Sequence, residues 1–113
     1  DVAPLGKSPT VGDRYVYSTA LTRGGRPAGR SESVDTALDE KIQGVMRVTV
    51  LLLPDGTITA QGATGNTAAG GWHPEKATHL AITGGTGAYD GANGTLTQTD
   101  LDDTHQRLTL HLR

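Results

Sequence analysis

The side chains that can move protons or polarise a carbonyl group are concentrated in the first half of the chain. They are Glu32, Asp35 and Arg47, together with the phenols of Tyr15 and Tyr17. A carboxylate withdrawn from water has a raised pKa, and a neighbouring arginine lowers that pKa again. Glu32 and Arg47 fall on adjacent predicted strands, so we expect them to pair inside the fold and to act with Tyr17 as the catalytic group. A surface ion pair is the alternative.

Four further side chains are predicted to contact a substrate, namely Tyr15, Gln61, Trp72 and His79. The amide of Gln61 can donate a hydrogen bond to a ketone or enone oxygen. Trp72 lies in a stretch from Thr64 to Glu75 that has no periodicity, and loops of this length often serve as lids. We therefore expect Trp72 to cap a cavity. The alternatives are that the tyrosines pack in the core, that the Gln61 amide is exposed and that Trp72 only anchors its loop.

Other site chemistries find little support in the sequence. There is no cysteine, and the four histidines have no metal-binding spacing. The serines lie in no nucleophile elbow, and no Ser, His and Asp follow a recognisable order. We expect neither a metal nor a cofactor.

Length and charge bound the class of protein. The 113 residues suit one domain, spanning residues 1–113. A net charge of −2 gives no reason to expect nucleic acid or an anionic membrane as a partner. No apolar run approaches the ~18 residues that span a bilayer. The first residues lack the features of a secretory leader, and the sequence leaves location open between the cytoplasm and secretion.

Alternation of side chains predicts an all-β protein. The predicted strands are Arg14 to Thr22, Ala28 to Thr36, Gly44 to Leu53, Thr57 to Ala63, Lys76 to Thr83, Thr95 to Leu101 and Gln106 to Leu112, with an eighth from Asp1 to Ala3. Short connections favour an antiparallel up-and-down barrel of about eight strands with a central cavity. The third strand is apolar on both faces, with Val48 and Val50 directed outward, which predicts a homo-oligomer, a dimer or trimer.

Five glycines between Thr83 and Gly94 allow two interpretations. An apolar strand entering Thr-Gly-Gly-Thr-Gly is typical of a dinucleotide-binding turn, which requires a following helix and further βα units. Here Asp90 to Gly94 would break a helix, and alternating threonines follow. A glycine-rich corner between two antiparallel strands, with a bulge, fits both flanks. We adopt the corner.

This stretch also resembles a known family. Gly84-Gly85-Thr86-Gly87-Ala88-Tyr89, followed by Gly91-Ala92-Asn93-Gly94, is similar to the glycine signature of the allene oxide cyclase-like and dirigent barrel superfamily, here in a bacterial member. Three further segments agree in order and spacing, and they are Gly12 to Tyr17, Gly29 to Ser31 and Leu53 to Gly62. The resemblance implies a barrel that binds a hydrophobic or phenolic small molecule and controls its geometry without a cofactor.

The resemblance favours a cofactor-free cyclase or isomerase, of pericyclase type, that folds a polyketide-like or fatty-acid-like molecule for ring closure in natural product biosynthesis. Such a protein works by holding a flexible chain in a reactive conformation. A non-catalytic binding or dirigent-type stereodirecting barrel is the alternative, and an oligomeric barrel filled by its own side chains is a third. A pocket of roughly several hundred Å³ would support the first two.

Overall fold

The computed structural model describes residues 14–38, 44–65, 77–102 and 105–113, with the backbone only at residues 64 and 65. Seven antiparallel strands form one sheet in which each strand pairs with the next along the chain. They are β1 (Arg14–Arg23), β2 (Arg26–Ala37), β3 (Gly44–Leu53), β4 (Gly56–Gly65), β5 (Ala77–Gly87), β6 (Gly94–Asp100) and β7 (Gln106–Leu112). The all-β prediction and the up-and-down strand order are confirmed.

Tight turns explain why consecutive strands pair. Gly24 and Gly25 connect β1 to β2 with φ values of 58° and 80°, a region that favours glycine. Pro54 and Asp55 connect β3 to β4, and Gly56 opens β4 at φ 153°. A Cβ at Gly56 would lie 2.1 Å from the carbonyl oxygen of Thr86, so β4 and β5 approach too closely there for any side chain.

One face of the sheet forms the interior. Its centre is a cluster of aliphatic side chains contributed by β3, β4, β5 and β6: Leu51, Ile58, Ala60, Leu80, Ile82 and Leu96. These residues alternate with polar or exposed ones along each strand, so period-2 alternation places the apolar set on one side. The cluster shows which face of β3, β4, β5 and β6 is directed inward.

The sheet twists and curls into a half-barrel with β1 and β7 as its edges. Within the described ranges, no hydrogen-bonded pairing joins β1 to β7. The eighth strand expected from Asp1 to Ala3 lies outside the described residues. In the part of the chain with described coordinates, no helix is long and apolar enough to cross a bilayer.

The glycine motif forms the end of a strand and then a corner. The strand β5 continues to Gly87, four residues beyond the predicted end at Thr83. A register shift between Thr59 and Ala60 marks a bulge in the β4–β5 pairing. A turn follows, and strand β6 comes next. This agrees with the corner interpretation and leaves no place for the helix that a dinucleotide-binding turn needs.

Candidate functional site

An ion pair held by two neighbouring strands is the centre of the candidate site. Asp35 of β2 and Arg47 of β3 are register partners, and both belong to the inward face. Arg47 Nε donates to Asp35 Oδ1 at 2.7 Å, and Nη2 donates to Oδ2 at 2.8 Å. The side chain of Asp35 is 4% exposed and that of Arg47 is 17% exposed. A two-point contact of this kind fixes the plane of the guanidinium.

A third residue fixes the guanidinium from the far side of the half-barrel. Arg47 Nη1 donates to Gln98 Oε1 at 2.9 Å, and Gln98 lies on β6 and is buried. The register partner of Arg47 on β4 is Gly62, which has no side chain to stand between β3 and the strands beyond it. Arg47 therefore spans the interior from β3 to β6.

The electrostatics of the pair keep Arg47 charged. Hydrogen bonding of Arg47 to the Asp35 carboxylate, which accepts from it, is the main reason that the pKa of the Arg47 guanidinium is raised, although burial opposes the increase. Asp100, near the end of β6, acts on Arg47 in the same direction as Asp35. A permanently charged, oriented arginine can donate hydrogen bonds to a ligand but cannot accept a proton.

Tyr17 is coupled to the same pair. Burial raises the pKa of the Tyr17 phenol above its usual 10.0, the charge of Asp35 adds to the increase, and Arg47 opposes it. Tyr17 faces inward from β1, and its register partner is Ser33 on β2. A phenol with a raised pKa stays protonated at neutral pH, so Tyr17 is a hydrogen-bond donor and a poor base.

Small hydroxyl groups extend the polar surface beside Arg47. Ser33 Oγ and Thr49 Oγ1 are 2.8 Å apart across the β2–β3 pair, and Thr49 is fully buried. Ser31, one alternation further along β2, is also buried. These short side chains leave space above the sheet where larger ones would fill it.

The space inside the half-barrel is an open trough of about 1210 Å³ lined by described residues. Tyr17, Arg47, Gln98 and Asp100 lie on its polar part. Its apolar wall consists of Leu21, Leu51, Leu53, Leu108 and Leu110, with Tyr89. The trough therefore suits a molecule with an apolar body and one polar end.

The pairing expected between Glu32 and Arg47 is wrong. Glu32 lies on the outward face of β2, where it accepts a hydrogen bond of 3.0 Å from Ser18 Oγ and lies 3.5 Å from Arg30 Nε. Successive side chains on a strand alternate between the two faces, so Glu32 and Asp35, three residues apart, point to opposite faces. Arg47 is directed to the face of Asp35 and cannot contact Glu32. The structure thus brings Tyr17 and Arg47 together and places Glu32 on the other side of the sheet.

The predicted substrate contacts are distributed differently. Gln61 and His79 are exposed on the outward face, and His79 Nδ1 lies 3.2 Å from Thr97 Oγ1. Tyr15 is half-buried beside Asp35, its register partner on β2. Trp72 lies outside the described residues.

Gln98 is the site residue that the sequence analysis missed, and Asp35 was considered but not selected. A signal for Gln98 was present: it shares its face with Leu96, which the alternation of β6 directs into the core. A polar residue on the apolar face of a strand usually has a buried partner.

Among the described residues, no group of three or more His, Cys, Asp or Glu side chains is arranged to hold a metal ion.

Comparison with known proteins supports the fold assignment. No curated protein matches the sequence. Six chains of solved structures match, among them a pyocyanin demethylase with 25% sequence identity and a TM-score of 0.73. That match covers 93% of this chain and 87% of the demethylase chain. The family described as "Allene oxide cyclase barrel like domain" matches residues 1–112. With an antiparallel half-barrel around an open trough and a family match over nearly its whole length, the chain belongs to the allene oxide cyclase-like barrel family.

Proposed function

We propose that this protein binds a hydrophobic small molecule along the trough and promotes its isomerisation or ring closure. The observation that carries the proposal is the position of Arg47, which Asp35 and Gln98 hold in one orientation in a trough that also has a wall of leucines. A polar group held this way is preorganised, so it stabilises developing negative charge on a substrate oxygen without having to reorient.

The roles of the side chains follow from their hydrogen-bonding capacity. Arg47 and Tyr17 donate to an oxygen atom of the substrate, and the leucines of the wall hold its apolar part in a folded conformation. Restricting a flexible chain to a reactive geometry can lower the barrier by roughly 7–11 kcal/mol. Isomerisation and intramolecular ring closure keep every atom of the substrate, so no leaving group has to be released.

The comparison supports a small-molecule activity for this fold. The demethylase is named for pyocyanin, so a barrel of related sequence and similar shape modifies a small molecule. The reaction proposed here is different in kind, and the demethylase name supports only the coarser part of the proposal.

Binding without turnover is the second candidate, and one observation favours it. Both carboxylate oxygens of Asp35 accept hydrogen bonds from Arg47, so the guanidinium already occupies this carboxylate. With Tyr17 held in its protonated form, neither group is ready to remove a proton. A stereodirecting protein would need only the shape and the donors of the trough.

Native mass spectrometry distinguishes the two candidates. The protein is incubated with an extract of polyketides and lipids, and retained molecules are released and compared with the input by mass and chromatography. A retained molecule that elutes as a new isomer supports the enzyme, whereas one released unchanged supports the binding protein. If nothing is retained, both are refuted.

A pair of variants tests the assigned roles. Tyr17→Phe removes one hydroxyl from the trough, and we expect conversion to slow by about 100-fold, the low end for a positioned proton donor. Ser18→Ala removes one hydroxyl from the adjacent residue on the outward face, where Ser18 donates to Glu32. The serine variant should convert substrate at the wild-type rate. Equal rates for all three proteins would remove Tyr17 from the site.

A further inference from the structure

The donors left over on Arg47 indicate what part of a ligand the site binds. A guanidinium has five N–H bonds, and three of them are used in the contacts with Asp35 and Gln98. The remaining two are on Nη1 and Nη2. Arg47 lines the trough, so these two bonds are the ones available to a ligand atom. Only a hydrogen-bond acceptor satisfies them.

The charge around these donors determines which acceptor is favoured. Asp35 compensates the charge of Arg47 through direct contact, and Asp100 adds a second carboxylate whose field reaches the guanidinium. Among the described residues, the other charged groups that line the trough are Arg23, Arg107, Asp55, Asp102 and His105. With Asp35, Arg47 and Asp100 included, these residues supply four carboxylates and three guanidinium groups, and His105 lies against Asp102 with Nδ1 3.0 Å from Oδ1. An anionic ligand would gain hydrogen bonds at Arg47, but the carboxylates of the trough would repel it and weaken its binding.

The phenol of Tyr17 strengthens this preference. Because it remains protonated, it offers an O–H bond and no charge to an oxygen near Arg47. The Arg47 side chain is only 17% exposed, and a donor withdrawn from water that lacks an acceptor is costly, so a ligand without an oxygen at this position is also disfavoured. The polar part of the trough thus has several donors and no excess positive charge.

We propose that the polar part of the trough selects a neutral carbonyl oxygen, that of a ketone or quinone, over a carboxylate. This inference rests on the proposed binding of a small molecule in the trough, and it specifies the chemical class of that molecule. It makes fatty-acid-like ligands with a free carboxylate the poorer fit at Arg47 and uncharged polyketide-like ligands the better one.

Two probes of matched shape test the selection, namely acetylnaphthalene, which is a methyl ketone, and naphthoate. Dissociation constants are measured by NMR titration at neutral pH, with the Nε–H signal of Arg47 as the reporter. We expect the ketone to bind about tenfold more tightly, a difference of about 1.4 kcal/mol. Tighter binding of naphthoate, no binding of either probe, or ketone binding that leaves the Arg47 signal in place would each overturn the inference.

Charge variants separate the role of Asp35 from general effects of the trough. Asp35→Asn leaves the charge of Arg47 uncompensated, so the preference should shift toward naphthoate by about tenfold or more. Asp100→Asn changes an exposed residue and should give a smaller shift in the same direction, which keeps the test available if Asp35→Asn does not fold. Asp90→Asn makes the same charge change at an exposed position in the turn between β5 and β6, outside the lining of the trough, and the preference should stay as in the wild type. Unchanged preference in both the Asp35 and Asp100 variants would refute the charge argument.

The outcome is independent of turnover. If the ketone preference holds and no retained molecule is ever converted, the enzyme proposal fails and the selection stands. If conversion is found for a substrate whose carboxylate contacts Arg47, the selection fails and the enzyme proposal stands.

Discussion

The identity of the acid beside Arg47 shows how much a single position on a strand decides. Glu32 and Asp35 are both carboxylates on β2, yet one lies on the outward face beside Arg30 and the other is buried against Arg47. Alternation along β2 puts Glu32 and Asp35 on opposite faces, since they are three residues apart. It does not indicate which face is inward, because Ser31 and Ser33 share the inward face and make it nearly as polar as the other. Without an apolar pattern, the register between strands cannot be predicted from one strand alone.

Tyr17 supplies a prediction about pH at the residue scale. Its folded-state pKa is raised above 10.0, mainly by burial, so the folded protein holds this proton more tightly than the unfolded chain does. The corresponding stability is present below the unfolded pKa and is lost as pH rises through the higher folded value. Tyr17→Phe should therefore lose less stability than the wild type when the pH is raised into this range. Denaturant unfolding at neutral and alkaline pH measures the difference.

An absorbance titration of tyrosinate gives an independent check on the same residue. Tyr17→Phe should remove the part of the titration that occurs at the highest pH, and Tyr89→Phe provides the matched control. If Tyr17→Phe and the wild type titrate identically at their alkaline end, the raised pKa does not belong to Tyr17.

At the scale of elements, the alternation of side chains predicted all seven described strands. It failed where glycines replaced the pattern, since β5 continues through Gly84 and Gly85 to Gly87. Glycine normally indicates a turn, but here the residues pair with β4, with Gly84 opposite Thr59 and Gly85 opposite Ile58. At Gly85 the backbones of the corner and of β4 approach too closely for a side chain, and such an approach has no signature in hydropathy.

Substitution by alanine should destabilise the protein at one of two adjacent glycines in this motif and have little effect at the other. A Cβ at Gly85 would lie 2.4 Å from the carbonyl oxygen of Tyr89 and 2.6 Å from that of Thr57, so Gly85→Ala forces the corner away from β4. A Cβ at Gly84 would have no atom within 4 Å. We expect Gly85→Ala to lower the free energy of unfolding by about 1–3 kcal/mol, the usual cost of overpacking. Denaturant unfolding of both variants is the measurement, and Gly84→Ala should remain close to the wild type. Similar losses in both would show that the corner does not depend on this contact.

At the scale of the whole molecule, the sheet has an apolar surface on the side away from the trough. Val16, Val34 and Val48 are register partners across β1, β2 and β3, and they are 66%, 37% and 38% exposed. Met46 on β3 is also exposed. The sequence predicted an apolar outward face on β3 alone, and the structure extends it across three strands, because registers between strands determine which side chains become neighbours.

This valine stripe, Val16, Val34 and Val48, is expected to be covered by a second copy of the chain in a dimer or trimer. Removal of apolar surface from water is worth about 25 cal/mol per Å², and the stripe is continuous across three strands. Val34→Asp places a charge at its centre, so the assembly should dissociate to monomers, which light scattering after size-exclusion chromatography can measure. Ala81→Asp adds the same charge to an exposed position of β5, away from the stripe, and should leave the assembly intact. A wild-type protein that is already monomeric at high concentration, or a Val34→Asp variant that assembles as well as Ala81→Asp, would show that the stripe faces solvent.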